Sequence, residues 1–196
     1  MLLHDKLKPY RLILASQSPR RRQLLADAGI EFELAPRFEC EESFSEDMPA
    51  AEVAEYLSKL KSEAYPEQLG ANDILLTADT VVIACSQILG KPADREEAVA
   101  MITMLSGCEH EVVTGVTLRT AERMKSFSVV SKVYFRELSL EEIEYYVDTY
   151  RPYDKAGSYG IQEWIGYVGI EGIVGSFYNV MGLPVQRLYC ELGEFI

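Results

Sequence analysis

The sequence predicts an α/β layered fold built on a mixed sheet. Short apolar runs alternate with helical patterns over roughly the first half of the chain, and two long β-type runs follow them. Alternating strands and helices point to layers of helix on sheet, and the long pair adds an antiparallel part to the same sheet. The composition is that of an ordinary globular protein: 196 residues, 48% hydrophobic and 26% charged, enough to bury a real core as one domain or as two closely joined lobes.

Arg11-Leu12-Ile13-Leu14-Ala15 is strand-like and runs straight into Ser16-Gln17-Ser18-Pro19-Arg20-Arg21-Arg22. Ser18 suits a helix N-cap and Pro19 the first helical position, where a missing N–H is no loss; Gln23 to Ala28 continues the helix and Gly29 ends it. Strands are predicted at 31–35 and about 73–84, and helices at about 50–65 and 94–105. Glu111 to Leu118 and Ser128 to Phe135 form the antiparallel pair around a polar turn. Ser139, with Glu142 in capping-box spacing, opens a helix over 139–149, and Arg151 to Gln162 is a polar, glycine-containing loop of the kind that often carries function. Gly166, Gly169, Gly172 and Gly175 recur every third residue without forming G-x-G-x-x-G, and read as turns and strand bends.

The net charge of -12, from 31 acidic against 19 basic residues, opposes nonspecific attraction to nucleic acid or anionic membranes. Any anionic ligand is therefore small and held locally. The amino terminus is too polar for a signal peptide and no apolar run approaches the roughly 20 residues of a membrane span, so the cytoplasm is the expected compartment. Cys40, Cys85, Cys108 and Cys190 lack any C-x-x-C spacing and read as reduced, mostly packed thiols. With only His4 and His110, a required metal would be a hard cation on carboxylates.

Three adjacent guanidiniums at the start of a helix, in so acidic a chain, are the layout of an anion site; the alternative is a solvated basic helix start. At about 100° per residue, Arg21 shares a face with Leu24 and Leu25, Arg20 lies at its edge and Arg22 turns furthest away. Asp79 is a single carboxylate in an otherwise buried-looking strand, which costs several kcal/mol unless compensated. It reads either as a general base or hard-metal ligand, or as a turn residue splitting the run into two strands. Gly90-Lys91 lacks the first glycine and the Ser/Thr of a phosphate loop, leaving Lys91 as a lone phosphate contact. On helix 50–65, Val53, Tyr56, Leu57, Leu60 and Ala64 form the apolar side; Lys61 lies about 80° from its centre and Lys59 about 120°, so Lys61 is better placed to reach inward, unless it is a snorkelling lysine. Among Glu39, Glu41 and Glu42, one could coordinate magnesium, although such runs are more often solvated. The tract Tyr153 to Gln162 combines a cation, glycines, aromatic faces and an amide, suited to closing over a nucleotide; Gln162 matches the carbonyl and N–H edge of a pyrimidine, or else satisfies loop backbone.

Ser16-Gln17-Ser18-Pro19-Arg20-Arg21, Ala78-Asp79-Thr80-Val81-Val82, Gly90-Lys91-Pro92, Leu105-Ser106-Gly107 with His110, Asp154 to Gln162, and Asn179-Val180-Met181-Gly182-Leu183-Pro184 together resemble the Maf family of nucleoside triphosphate pyrophosphatases, in order across nearly the whole chain. Gly160-Ile161-Gln162 is similar to the branch that hydrolyses dTTP and UTP rather than the one acting on 7-methyl-GTP. The resemblance implies a single domain over 1–196 with a mixed-sheet α/β fold related to the inosine triphosphatase architecture, two lobes around a cleft, magnesium dependence and often a homodimer. It implies Asp79 as proton acceptor, with Arg20, Thr80 and Gln162 setting substrate choice, and Lys61, Lys91, Lys155 and Arg21 as phosphate contacts. Glu42 or Asp79 would hold the divalent cation. Thr77 departs from the glycine often found before Ala-Asp-Thr in that family, and Tyr150-Arg151-Pro152 from its usual Ser-Gly-Glu-Pro. The expected reaction is cleavage between the α and β phosphates of dTTP, UTP or a modified pyrimidine triphosphate; a noncatalytic nucleotide sensor controlling cell division is the alternative.

Overall fold

Strand β1 (Arg11–Leu14), buried beyond its first residue, lies between two parallel neighbours, β2 (Glu33–Leu34) and β3 (Asp73–Ala84), in a computed structural model that describes residues 2–196. Leu12, Ile13 and Leu14 stand in register with Ile74, Leu75 and Leu76, which is why both segments read as continuous apolar runs. β4 (Gln87–Leu89) folds back antiparallel on the end of β3 through Cys85 and Ser86, both at positive φ. β5 (Glu109–Arg119), β6 (Met124–Phe135) and β7 (Ile170–Val174) complete the sheet, β7 running antiparallel to β6. Among the described residues the seven strands form one mixed sheet of order β2-β1-β3-β5-β6-β7, with β4 on β3. The helices are α1 (Leu3–Leu7), α2 (Pro19–Asp27), α3 (Ala50–Glu63), α4 (Arg95–Leu105), α5 (Leu140–Tyr150), α6 (Trp164–Gly169), α7 (Phe177–Met181) and α8 (Val185–Phe195). None is long and apolar enough to cross a membrane, among the described residues.

The chain divides into two compact units. The first takes the chain up to Asp79, with Thr114–Val129 and Gly182–Ile196. Ile13, Ala15, Ala35, Tyr65, Leu69 and Leu75 form one of its apolar clusters, and Arg11 clamps Asp73 with two hydrogen bonds of 2.8 and 2.7 Å. Helix α3 sits very close to the sheet: a Cβ on Gly115 would fall 2.2 Å from the Ala54 backbone. The Thr77 hydroxyl donates to the Ser58 carbonyl at 2.7 Å, and the Ser58 and Thr117 hydroxyls are 2.8 Å apart. The buried face of α3 is therefore Val53, Ala54, Leu57, Ser58 and Ser62, while Tyr56 is exposed. This corrects the apolar stripe expected from sequence, because two small residues, Ser58, whose hydroxyl meets Thr117 on the sheet, and Ser62, occupy the interior side.

The second unit takes Thr80–Val113 and Val130–Met181. Val82, Ile102, Val133, Tyr146 and Ile161 belong to its core, where α4 and α5 pack together. Ser139 and Glu142 form the expected capping box. Buried His110 has Nε2 2.7 Å from the Tyr159 hydroxyl, and burial depresses its pKa to about 4.

Several local readings change. β3 is one continuous strand, so Asp79 is no turn residue. β2 is shorter than expected, and α1, β4, α6, β7, α7 and α8 were not anticipated. Gly166 and Gly169 lie in a helix rather than in turns; a Cβ on Gly166 would meet the Ile161 carbonyl oxygen at 1.7 Å. The thiols are free but not mostly packed, since Cys85, Cys108 and Cys190 are exposed.

Candidate active site

In the first unit, the handover from β1 to α2 places Ser18 as a side-chain cap accepting from the Arg21 N–H, with Pro19 in the first turn. The helix start turns the Arg21 guanidinium inward. Its Nε donates to the Gly182 carbonyl at 2.8 Å, and Nη1 donates to the Ala78 carbonyl at 2.9 Å and to Ser16 Oγ at 3.2 Å. Desolvation lowers its pKa, Asp79 opposes that fall, Arg20 adds to it and Glu42 opposes it. Arg21 thus ties α2 to the residue just before Asp79. Arg20 is half-buried, and Arg22 donates to the Gln17 carbonyl.

Lys61 rises from the last turn of α3, and its Nζ donates to Asp79 Oδ1 at 2.5 Å while lying 3.1 Å from Glu42 Oε2. Both Lys61 and Asp79 are largely shielded, with side chains 17% and 13% exposed, whereas that of Glu42 is half exposed at 50%. The charge that would be costly on a buried strand is therefore compensated by an ammonium from the neighbouring helix. Lys59 points outward and pairs with Glu63. Desolvation and the charges of Glu42 and Asp79 push the Cys40 thiol up while Lys61 opposes, which puts Cys40 within reach of the same cluster. Glu39 and Glu41 are exposed.

Two carboxylates facing one point suit a hard cation of the magnesium type, which is commonly held by one or two carboxylates with substrate phosphates supplying further oxygens. Among the described residues there is no group of three or more His, Cys, Asp or Glu arranged to hold a metal, and Glu42 and Asp79 are the two carboxylates that meet at Lys61 Nζ.

In the second unit, Thr80 follows Asp79 along β3 and is half-buried. Exposed Lys91 stands beside Gly90, whose carbonyl accepts from the Gly157 N–H at 3.0 Å, so that it flanks the loop carrying Lys155. Lys155 is buried, with its ammonium 2.8 Å from Asp154 Oδ1 and 3.1 Å from Glu163 Oε1. Gly160 creates the space that Lys155 and Gln162 share: a Cβ there would lie 3.0 Å from both Lys155 Cε and Gln162 Nε2. The Gln162 Oε1 is buried without a hydrogen-bond partner. Within this unit Lys155 and Gln162 are brought together; within the first, Arg21, Lys61, Asp79 and Glu42 are. Sequence reasoning missed Glu163 and Tyr146, because their link joins residues that no local motif connects.

The remaining motif residues hold structure. The Ser106 hydroxyl accepts from the Leu138 N–H at 2.7 Å, and Asn179 Nδ2 donates to the Val112 carbonyl at 3.1 Å and to Ser131 Oγ at 3.0 Å.

The sequence model of the family described as Maf-like protein matches residues 11–195. A dTTP/UTP pyrophosphatase of Parabacteroides distasonis is 51% identical over 97% of this chain and 99% of its own. One from Porphyromonas gingivalis is 52% identical over 97% of each chain, and one from Christiangramia forsetii is 45% identical over 100% of this chain and 99% of its own. Among solved structures, a HAM1 protein from Coxiella burnetii is similar at a TM-score of 0.47 and 15% identity, covering 94% of this chain and 99% of that one.

Proposed function

The chain belongs to the Maf-like protein family, and from that membership we propose that it is a nucleoside triphosphate pyrophosphatase acting on dTTP and UTP. It adds water across the α–β phosphoanhydride, releasing the nucleoside monophosphate and pyrophosphate. The observation that carries this reading is the shielded Lys61–Asp79 pair, with Glu42 on the same ammonium and desolvated Arg21 beside it.

A triphosphate brings about four negative charges, more than one helix terminus can balance. Arg21, Lys61, Lys91 and Lys155 are read as its phosphate contacts. Asp79 is read as the proton acceptor: it takes a proton from water as the water oxygen bonds to phosphorus and the bridging oxygen departs with pyrophosphate. A magnesium-type cation, when bound, would neutralise charge growing on the phosphate oxygens, and Glu42 and Asp79 are the carboxylates that would hold it. Thr80 and Gln162 are read with Arg20 as the residues of substrate choice. The buried, unpartnered Gln162 Oε1 supports this, because it suits the N–H of a uracil or thymine ring. The reading puts the enzyme in the cytoplasm.

The test is pyrophosphate release by the purified chain with Mg²⁺ across dTTP, UTP, CTP, GTP and 5-methyl-UTP. Turnover is expected with the uracil and thymine nucleotides, and Asp79→Asn should lower it by about 100-fold or more while the fold persists. Tight nucleotide binding without any turnover by the unaltered chain would instead favour a sensor.

A further inference from the structure

Within the second unit we propose that Glu163 is the positioning residue for the Lys155 ammonium, and that Tyr146 in turn fixes Glu163. The inference rests on the reading of Lys155 as a phosphate contact.

Two carboxylates meet Lys155 Nζ, and they are held differently. The Asp154 side chain is 54% exposed, so water screens its attraction for the ammonium. The Glu163 side chain is only 19% exposed and is fixed from behind, where Oε2 accepts the hydroxyl of Tyr146. Tyr146 is fully buried on α5, and its oxygen also accepts the Gly160 N–H at 2.9 Å. Burial, followed by the hydrogen bond and charge of Glu163, pushes the tyrosine's ionisation far up, so the hydroxyl remains a donor. A continuous line therefore runs from a core helix through Tyr146 and Glu163 to the ammonium. Gly160 leaves room for it, since a Cβ there would sit 2.9 Å from Glu163 Cδ.

The charges define what each partner does. The ammonium stands between one carboxylate that water screens and one that is shielded and fixed. The screened Asp154 is the partner that yields, while Glu163, held by Tyr146, keeps one of the three ammonium donors and leaves the other two for phosphate oxygens. Glu163 thereby limits the positions Lys155 can take, so the lysine is ordered before substrate arrives.

A double-mutant cycle on the full chain tests this. Glu163→Gln keeps an oxygen to accept the Tyr146 hydroxyl but turns an amide NH₂ towards Lys155. Its kcat/KM for UTP with Mg²⁺ is expected to fall about tenfold, with an unfolding midpoint close to that of the unaltered chain. Lys155→Met should lower kcat/KM at least as far, and adding Glu163→Gln to it should change little, within about twofold. Tyr146→Phe should show a smaller loss that also vanishes when Lys155 is absent. An unchanged Glu163→Gln enzyme, or an equal loss with and without Lys155, overturns the positioning role. A Lys155→Met enzyme with full activity overturns it too, together with the assignment of Lys155. The unaltered chain, Glu163→Gln, Lys155→Met and their double variant, titrated with inorganic pyrophosphate, decide the matter by affinity alone. Failure of the unaltered chain to hydrolyse UTP would thus count against the proposed reaction without obscuring this result.

Discussion

In the first unit three of the four charged side chains brought together stand on regular elements, Asp79 on β3, Lys61 in the last turn of α3 and Arg21 in the first turn of α2, while Glu42 lies between elements. In the second, Lys155, Gln162 and Glu163 all lie between the end of α5 and the start of α6, with Tyr146 tying that stretch to α5. The contrast in support suggests a division of labour. A proton acceptor and its countercharge need fixed distances, which backbone ladders and a helix seated against a strand supply. Of the residues read above as choosing the base, Arg20 and Thr80 share those regular elements, whereas Gln162 sits on a loop that buried neutral groups hold. The first region is thus sensitive to backbone displacement, and the second to anything that charges its buried polar groups.

The largest expected effect attacks the seating of α3. Alanine at Gly115 would place its Cβ 2.2 Å from the Ala54 backbone, and a helix backbone has no rotamer with which to retreat. Gly115→Ala should cost about 3 kcal/mol of stability in urea unfolding, and should lower turnover at temperatures where the fold survives, because Lys61 moves with the helix. A variant as stable and as active as the original would show that the placement of Lys61 does not depend on this contact, and the contrast between the regions would lose its first half.

Acid probes the second region. The His110 pKa is depressed by burial to about 4, below the ordinary value of 6.5. The unfolded chain takes up this proton first as pH falls, so stability present above pH 6.5 is lost progressively down to about pH 4. Between pH 7 and 5 the loss from this one group should be about 2 kcal/mol. Urea titrations of the unaltered chain and of His110→Gln, each at both pH values, isolate it. Equal pH dependence in the two proteins would mean that His110 carries no such burden, and that the loop beside it is not held by a neutral imidazole.

The sequence made the first region more legible than the second, for physical reasons that particular residues show. The cap at Ser18, the proline after it and the angular position of Lys61 follow from helix geometry alone. The rotation of α3 did not, because Ser58 and Ser62 resemble surface residues in any hydrophobic pattern, and the inward seating of Ser58 depends on Thr77, Thr117 and the space left by Gly115 elsewhere in the chain. Thr77, where the resembled family often has glycine, is one of those partners. Helix α8 carried a readable signal in Val185, Leu188, Leu192 and Phe195, whose spacing gives an apolar stripe. Glu163 carried none: its neighbours in sequence mark a loop, and only contact with Tyr146, 17 residues earlier, gives it a role.

The smallest effect asks whether the loop region selects the base. Gln162 presents a buried carbonyl oxygen with no partner, and its amide nitrogen lies against the space above Gly160. Gln162→Glu keeps an acceptor for a ring N–H but replaces the NH₂ donor with a second oxygen, so a base carbonyl loses its partner and meets a negative charge. Uracil and thymine offer such carbonyls, whereas the exocyclic amine of cytosine would gain an acceptor. The ratio of kcat/KM for UTP over CTP should therefore fall about five- to tenfold, chiefly by loss of UTP turnover. Lys155 lies close enough to draw the new carboxylate towards itself, so some general loss with every nucleotide is expected as well, and only the ratio reports on recognition. An unchanged ratio alongside a general loss would assign the loop to phosphate binding alone, and would leave base selection to Arg20 and Thr80.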